Sequence, residues 1–283
     1  MDDKRIKKFI VNTITSSRII AAISMPILVN VLSAPMFLFV IALILFTDFL
    51  DGVLARHWEV STIFGSLLDM GSDKVFAISI LIVLSTMFPI MTIPLTIEMF
   101  ISVFNIKNGI NGKISKSSEI GRVKTWILGL SICSLLLVGL SPDIIKSLDV
   151  NKDFDIGKII NIFENNIGNN INNLVNSLKY NLKNVLEYIQ EHKNIIESIG
   201  ITSSIVSDAI VATDYTIKGI KETKHSDKNI KDIMMDKEKL KYIKKVLLDE
   251  KYFKVTKDMT MYERLIPSEE KKEEIKKLIL EKM

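Results

Sequence analysis

Four aspartates stand close together between two long apolar stretches of the chain. Asp48 and Asp51 end the first stretch, three residues apart, and Asp69 and Asp73 begin the second, four residues apart. Both spacings place the carboxylates of a pair on one face of a helix. If the two helices are antiparallel neighbours, four negative charges meet at one depth, and cations are needed to stabilise them. Hard divalent ions, Mg²⁺ above all, prefer such oxygen ligands, whereas zinc favours His and Cys.

The residues between the two pairs indicate what the cations would act on. Gly52 and Gly65 leave space where a ligand can approach the backbone closely. Arg56 lies one turn beyond Asp51, where it can bind a phosphate group. Metal ions and an arginine beside a membrane favour phosphoryl transfer on a lipid, a reaction that depends on positioning and charge neutralisation.

The elements that would position these residues are membrane helices. The chain has 283 residues and a mean hydropathy of +0.27, but long apolar runs dominate it only up to about Ser141. Runs of about 20 apolar residues are long enough to cross about 30 Å of hydrocarbon. The chain is therefore predicted to be an all-α integral membrane protein with six transmembrane helices. These are expected at about 9–32, 35–55, 69–87, 91–106, 123–141 and 196–217.

The distribution of Lys and Arg predicts the orientation in the membrane. The N-terminal KRIKK, the segments 52–74 and 105–124 and the region after residue 217 are basic, whereas the connections 32–35 and 87–92 have no Lys or Arg. The protein is therefore expected to be a multi-pass protein of the cell membrane, with both termini and the aspartates on the cytoplasmic side. The net charge of +4 is spread over helix ends, which favours lipid headgroups and argues against nucleic acid as a partner.

Composition divides the chain into four segments. They are a transmembrane catalytic core at 1–142, an Asn-rich insertion at 143–195, the sixth transmembrane helix at 196–220 and a charged helical cytoplasmic tail at 221–283. Apolar residues three or four apart from Ile167 to Ile189 predict an amphipathic helix in the insertion. Its apolar stripe would pack on the bundle, lie on the membrane surface or pair with a partner helix. The tail is expected to be a solvated appendage.

The four-aspartate segment resembles the signature of the CDP-alcohol phosphotransferase (CDP-alcohol phosphatidyltransferase) family, D-x2-D-G-x2-A-R-x8-G-x3-D-x3-D. Every fixed position matches, through Asp48, Asp51, Gly52, Ala55, Arg56, Gly65, Asp69 and Asp73. Three further segments are similar to segments of bacterial phosphatidylglycerophosphate synthases. They are NTITSSR from Asn12, SSEIGRVKTW up to Trp126, and TDYTIKGI from Thr213 in the last predicted transmembrane helix. The resemblance covers about 1–142 and 196–220.

The resemblance implies a six-helix fold, a homodimer and an active site with two divalent ions, Mg²⁺ or Mn²⁺. The metal ligands would be Asp48, Asp51, Asp69 and Asp73, the last of which would also act as the catalytic base. The residues implied to bind the CDP part of CDP-diacylglycerol are Asn12, Thr15, Gly52, Ala55, Arg56 and Gly65. Candidates for the phosphate of a small phosphorylated alcohol acceptor are Arg18, Lys107, Arg122 and Lys124. The implied reaction transfers a phosphatidyl group from CDP-diacylglycerol to sn-glycerol 3-phosphate and releases CMP.

The acceptor has alternatives. The synthase subfamily has arginines at two positions where this chain has Ile97 and Asn105. Inositol phosphate, serine or phosphatidylglycerol are therefore alternative acceptors, and a non-catalytic membrane scaffold is an alternative of another class. Glu98, inside the fourth predicted transmembrane helix, is expected to pair with Arg18 or another cation, or to orient the acceptor.

Overall fold

The computed structural model describes residues 3–110, 119–150, 165–221, 237–257, 259, 261–265 and 267–281. Within these ranges the regular elements are helical, as predicted. They are α1 (Asp3–Val31), α2 (Ala34–His57), α3 (Ile63–Met87), a 3-10 turn (Pro89–Met91), α4 (Thr92–Ile110), α5 (Glu119–Val150), α6 (Asn165–Glu191), α7 (Lys193–Lys221), α8 (Lys237–Leu247), α9 (Glu250–Val255), α10 (Met261–Leu265) and α11 (Glu269–Glu281).

Four of the described helices are long and apolar enough to cross a membrane. These stretches are Asp3–Val31, Ala34–His57, Gly121–Leu148 and Lys193–Ile217, and Pro89–Asn105 is a shorter apolar helix. Each of the six predicted transmembrane segments overlaps a helix, but the six-span topology remains a prediction. The apolar character and the family reported below indicate a membrane protein.

The first seven helices pack around one apolar core. Helix α1 contacts α2 and α3, α3 contacts α4, and α5 contacts α6 and α7. Fully buried side chains such as Met25, Phe37, Leu84 and Leu135 fill the centre. Large apolar side chains on the outside, Ile20 among them, stay exposed, as expected for surfaces that face lipid.

The connection between α2 and α3 sets the position of the aspartates. Glu59 has a φ of 54°, which turns the chain sharply after α2. Thr62 caps α3, since its side chain accepts a hydrogen bond from the backbone N–H of Gly65 at 3.0 Å. The short connection keeps the adjoining ends of α2 and α3 close, and α1 packs against both helices. The aspartate pairs at these ends therefore come together beside α1.

Helix α6 is the predicted amphipathic helix of the insertion, and its C-terminal end packs on the bundle. Leu186 is buried in the core, and Gln190 Nε2 donates a hydrogen bond to the Val138 carbonyl oxygen at 2.9 Å. Leu174 and Leu178, from the same apolar stripe, are exposed. Local packing therefore accounts for the C-terminal end of the stripe, and contact with a membrane surface or a partner helix remains a prediction for the rest.

The described part of the tail is packed against the bundle. Helices α8 to α11 surround a small core of Val246, Tyr252 and Ile275, and Ile63 at the start of α3 is fully buried in that core. The expectation of a solvated appendage is therefore wrong for these residues. The apolar side chains of the tail are few and lie between many Lys and Glu residues, so they gave no clear signal in the sequence. Val246, Tyr252 and Ile275 are nevertheless enough to bury Ile63.

Candidate active site

The four aspartates surround one guanidinium group. Arg18 on α1 is 2% exposed, and its Nη2 lies 2.7 Å from Asp69 Oδ1 and 3.5 Å from Asp73 Oδ1. Its Nη1 pairs with Asp48 and lies 3.9 Å from Asp51 Oδ2. The three helices α1, α2 and α3 therefore meet at one charged centre. The spacing of the aspartates predicted that the two pairs converge, but not that Arg18 lies between them.

Hydrogen bonds from two side chains of α1 orient the groups at this centre. Thr15 Oγ1 donates a hydrogen bond to Asp51 Oδ2 at 2.6 Å, and both residues are buried. Arg18 Nε donates a hydrogen bond to Ser72 Oγ on α3. Thr15 and Arg18 thus fix the carboxylates, and Ser72 in turn fixes Arg18. Ser72 was not singled out from the sequence, because a serine one residue before Asp73 carries no distinct signal.

The charge and geometry of the cluster fit a divalent cation. Asp48, Asp51 and Asp69 each offer an oxygen within 4.8 Å of the others. Arg18 supplies one positive charge against four carboxylates, which leaves an excess of negative charge that a hard cation would neutralise. Asp73 is not part of this three-carboxylate group, and its side chain is 62% exposed beside Arg18.

A cleft of about 230 Å³ opens next to the carboxylates. All six residues predicted to bind CDP line it, together with Asp51 and Asp69; the six are Asn12, Thr15, Gly52, Ala55, Arg56 and Gly65. The Arg56 Nε donates a hydrogen bond to the Gly52 carbonyl oxygen at 2.9 Å, which orients the guanidinium on the last turn of α2. The cleft thus combines an anion-binding side chain with the acidic cluster.

Gly65 preserves space where α1 approaches α3. A Cβ at this position would lie 3.4 Å from Thr62 Oγ1 and 3.6 Å from Asn12 Oδ1. Such a methyl group would make ordinary contacts with both side chains. It would also fill part of the cleft wall between them.

A second charged cluster contains four residues from four helices. Glu98 on α4 pairs with Lys124 on α5 and, at 3.0 Å, with Lys74 Nζ on α3. Lys124 Nζ also lies 3.0 Å from Asp208 Oδ1 on α7. Glu98 and Asp208 are 3% and 0% exposed, and the two carboxylates balance the two ammonium groups.

This tetrad shows which residues pair with Glu98, for which a cation partner was expected. Its partners are Lys74 and Lys124, which confirms the expected pair with a cation. That cation is not Arg18, because the aspartates surround Arg18. Sequence reasoning did not connect Lys74 or Asp208 to Glu98, although ionisable groups inside predicted membrane helices are a signal that each needs a partner.

The remaining acceptor candidates differ in environment. Arg122 on α5 is exposed, whereas Lys124 is buried in the tetrad. The side chain of Lys107 lies outside the described residues. Asn105, where the subfamily has an arginine, has a buried Oδ1 with no hydrogen-bond partner in the part of the chain that the structure describes.

The class of protein is indicated by a helical membrane bundle with a carboxylate cluster beside a cleft that Arg56 lines. The sequence profile of the CDP-alcohol phosphatidyltransferase family matches residues 8–152, about half of the chain, and the chain belongs to that family. The resemblance stated from the signature is thereby confirmed.

One curated relative shares part of the sequence. The chain is 33% identical over 107 residues to a CDP-diacylglycerol–glycerol-3-phosphate 3-phosphatidyltransferase of Cereibacter sphaeroides. The match covers 35% of this chain and 48% of the relative, so the chain spans about half of that protein's length. No solved structure matches the chain.

Proposed function

We propose that the protein transfers a phosphatidyl group from CDP-diacylglycerol to sn-glycerol 3-phosphate and releases CMP. The observation that carries this proposal is the junction of the acidic cluster with the cleft, where Asp51 and Asp69 belong to both. The name of the partial relative supports the choice of donor and acceptor. In this reading the protein is an enzyme of phospholipid biosynthesis.

The cleft is proposed to hold the CDP part of the donor. Arg56 would bind the pyrophosphate, since a guanidinium matches phosphate oxygens with two parallel hydrogen bonds. Gly52, Ala55 and Gly65 would leave room for the ligand, and Asn12 offers an amide for hydrogen bonding. The pyrophosphate would then lie between Arg56 and the aspartates.

The aspartates are proposed to hold two divalent ions, Mg²⁺ or Mn²⁺. Asp48, Asp51 and Asp69 are the closest set of ligand atoms, and Asp73 is adjacent to them. When bound, the ions would neutralise the charge that develops on the phosphoryl oxygens. Thr15 would keep Asp51 oriented for this role through its 2.6 Å hydrogen bond.

Asp73 is proposed as the general base. Its side chain is the most exposed of the four carboxylates, so an incoming hydroxyl can reach it. Asp73 would take the proton of that hydroxyl while the oxygen attacks the β-phosphorus, which carries the diacylglycerol. The bond from this phosphorus to the bridging oxygen would break, and its electron pair would leave with CMP.

The acceptor phosphate is proposed to bind cations at the same end of the bundle. Arg122 is the exposed candidate, and Lys107 is the second. Arg18 and Lys124 are the buried candidates, and each is already paired with carboxylates. Because they are held by these ion pairs, Arg18 and Lys124 would attract the acceptor phosphate by their charge and would not contact it directly.

A specific observation favours acceptors other than glycerol 3-phosphate as second candidates. Asn105 and Ile97 stand where the subfamily has arginines, and the unpartnered Oδ1 of Asn105 suits a hydroxyl or an ammonium donor better than a phosphate. Serine, inositol phosphate and phosphatidylglycerol each carry a donor of this kind. Glycerol 3-phosphate carries hydroxyl groups too, so the support for the second candidates is the absence of arginine at positions 97 and 105.

The proposal extends to the setting of the enzyme. The basic segments support six spans in the cell membrane, a cytoplasmic active site and contact with anionic lipids. A homodimer is proposed from the family resemblance. Lys8 on α1 and Glu250 in the tail are in contact, which is consistent with both ends of the chain lying on one side of the membrane.

An acceptor panel tests the proposed function. Purified protein receives radiolabelled CDP-diacylglycerol, Mg²⁺ and one acceptor at a time, and CMP release is measured. Release with glycerol 3-phosphate is the expected result. Release only with serine, inositol phosphate or phosphatidylglycerol would change the acceptor, and no release with any acceptor would favour the scaffold alternative.

A further inference from the structure

The C-terminal tail contributes a side chain to the cleft. Phe253 on α9 lines the same cavity as Arg56 and Asn12, together with Lys8 at the start of α1. Phe253 lies about 180 residues beyond Asp73 in the chain and outside the region that matches the family profile. The cleft is therefore a composite of the family core and a tail that the core sequence does not include.

Three polar contacts fix the tail at this position, in addition to the burial of Ile63. Lys8 Nζ lies 2.5 Å from Glu250 Oε1 and donates a hydrogen bond to the Leu248 carbonyl oxygen at 2.9 Å. Lys254 Nζ lies 2.8 Å from Glu59 Oε2, and this ammonium group lowers the pKa of Glu59 below its ordinary value. Helix α9 is thus tied on one side to α1 and on the other to the α2–α3 connection.

The tail also holds the aromatic ring of Phe253 in place. The Arg264 guanidinium carbon lies 5.3 Å from the centre of the Phe253 ring, within the range of a cation–π contact. Arg264 Nε donates a hydrogen bond to the Thr256 carbonyl oxygen at 2.7 Å, and Tyr252 Oη donates one to the Arg264 carbonyl oxygen at 2.7 Å. Phe253 is half-buried, so part of the ring remains available to a ligand.

We infer that Phe253 contacts the cytosine base of the donor and selects the nucleotide end of CDP-diacylglycerol. This inference rests on the proposed function. The pyrophosphate needs Arg56 and the aspartates that line the cleft, and the acyl chains need the apolar outer surface of the bundle. The base is the part of the donor that gains from an aromatic surface, because nucleobases stack on such rings.

Three variants of the full-length protein test the inference. Phe253→Leu keeps an apolar side chain for packing of the tail but removes the ring, and Phe253→Tyr keeps the ring. Leu280→Ala is the matched control, since Leu280 is an exposed tail residue that does not line the cleft. The measurements are the Kd for CDP, by calorimetry in detergent, and the KM values for CDP-diacylglycerol and for the acceptor.

The expected result is a selective loss of nucleotide affinity. Phe253→Leu should raise the Kd for CDP and the donor KM about tenfold, as expected for the loss of one stacked base. The acceptor KM should stay within about twofold, and Phe253→Tyr and Leu280→Ala should bind CDP as the wild type does.

Three other outcomes overturn the inference, and the first two do so while the proposed function stands. A Phe253→Leu protein that binds CDP within about twofold of wild type contradicts the contact, as does an equal rise of both KM values. A wild type that does not bind CDP also overturns it. If the wild type binds CDP but transfers nothing, the proposed function fails, while the ratio of CDP affinities still decides whether Phe253 contacts the nucleotide.

Discussion

The tetrad of Lys74, Glu98, Lys124 and Asp208 offers the sharpest structural prediction, because loss of any one member leaves its charges unbalanced. Lys124→Met keeps the length and apolar stem of the side chain but removes the ammonium group. Asp208, which is 0% exposed, then loses its 3.0 Å partner, and Glu98 retains only Lys74. Two buried carboxylates would share one cation whose side chain is 48% exposed.

The magnitude follows from the burial of the carboxylates. Removing one member of a buried ion pair costs about 3–5 kcal/mol, since an uncompensated charge stays in a medium of low dielectric. The midpoint of thermal unfolding should fall by on the order of 10 °C. The double variant Lys124→Met/Asp208→Asn removes one charge of each sign and leaves the Glu98–Lys74 pair. It should recover at least about half of the lost free energy.

Thermal unfolding of the purified protein in detergent, followed by intrinsic fluorescence, measures both variants. If Lys124→Met unfolds at a midpoint within about 2 °C of wild type, the structural role of the tetrad is refuted. A double variant that is less stable than the single variant would refute it too. If Lys124 contacts the acceptor phosphate directly, the double variant should regain stability but keep a raised acceptor KM.

The remaining predictions concern packing, the acidic cluster and the tail. Gly200→Ala should destabilise the protein by about 1–3 kcal/mol in thermal unfolding, because the new Cβ would lie 3.0 Å from Leu135 Cγ. Gly129→Ala is the control and should not destabilise the protein, because its new Cβ would have no atom within 4 Å. Thr15→Val removes a hydrogen bond to the charged Asp51, so it should lower the rate of CMP release about tenfold and raise the Mg²⁺ concentration needed for half-maximal activity about tenfold. Thr15→Ser should keep both values. Equal activity of the two variants would contradict this role. Burial raises the pKa of Tyr252 in the folded protein above that of the unfolded chain, so the protein should lose stability as the pH rises above about 10. Absorbance at 295 nm should show one tyrosine ionising after the others. Tyr252→Phe should abolish that late step.

The local parts of the site were predictable from the sequence. The i,i+3 and i,i+4 spacing of the aspartates fixes which carboxylates share a helix face, and the short α2–α3 connection brings the two pairs together. Asn12 and Thr15, which are far from Asp51 in sequence, were placed through the family resemblance, and both line the cleft.

The parts that were missed depend on long-range packing. Glu98, Lys74 and Asp208 were each visible as charges in apolar helices, but their pairing depends on how α3, α4, α5 and α7 are arranged around Lys124. The tail was missed for another reason. Its apolar residues are sparse among Lys and Glu, and their target, Ile63, looks like any other apolar residue of a membrane helix.

The most direct test of the central proposal is Mg²⁺-dependent release of CMP from CDP-diacylglycerol, compared between the wild type and Asp73→Asn. The wild type should release CMP when Mg²⁺ and glycerol 3-phosphate are present and should stop when EDTA is added. Asp73→Asn should release almost none while still binding CDP, because Asn cannot accept the proton of the acceptor hydroxyl. Turnover by Asp73→Asn at the wild-type rate, or release by the wild type without a divalent ion, would contradict the account.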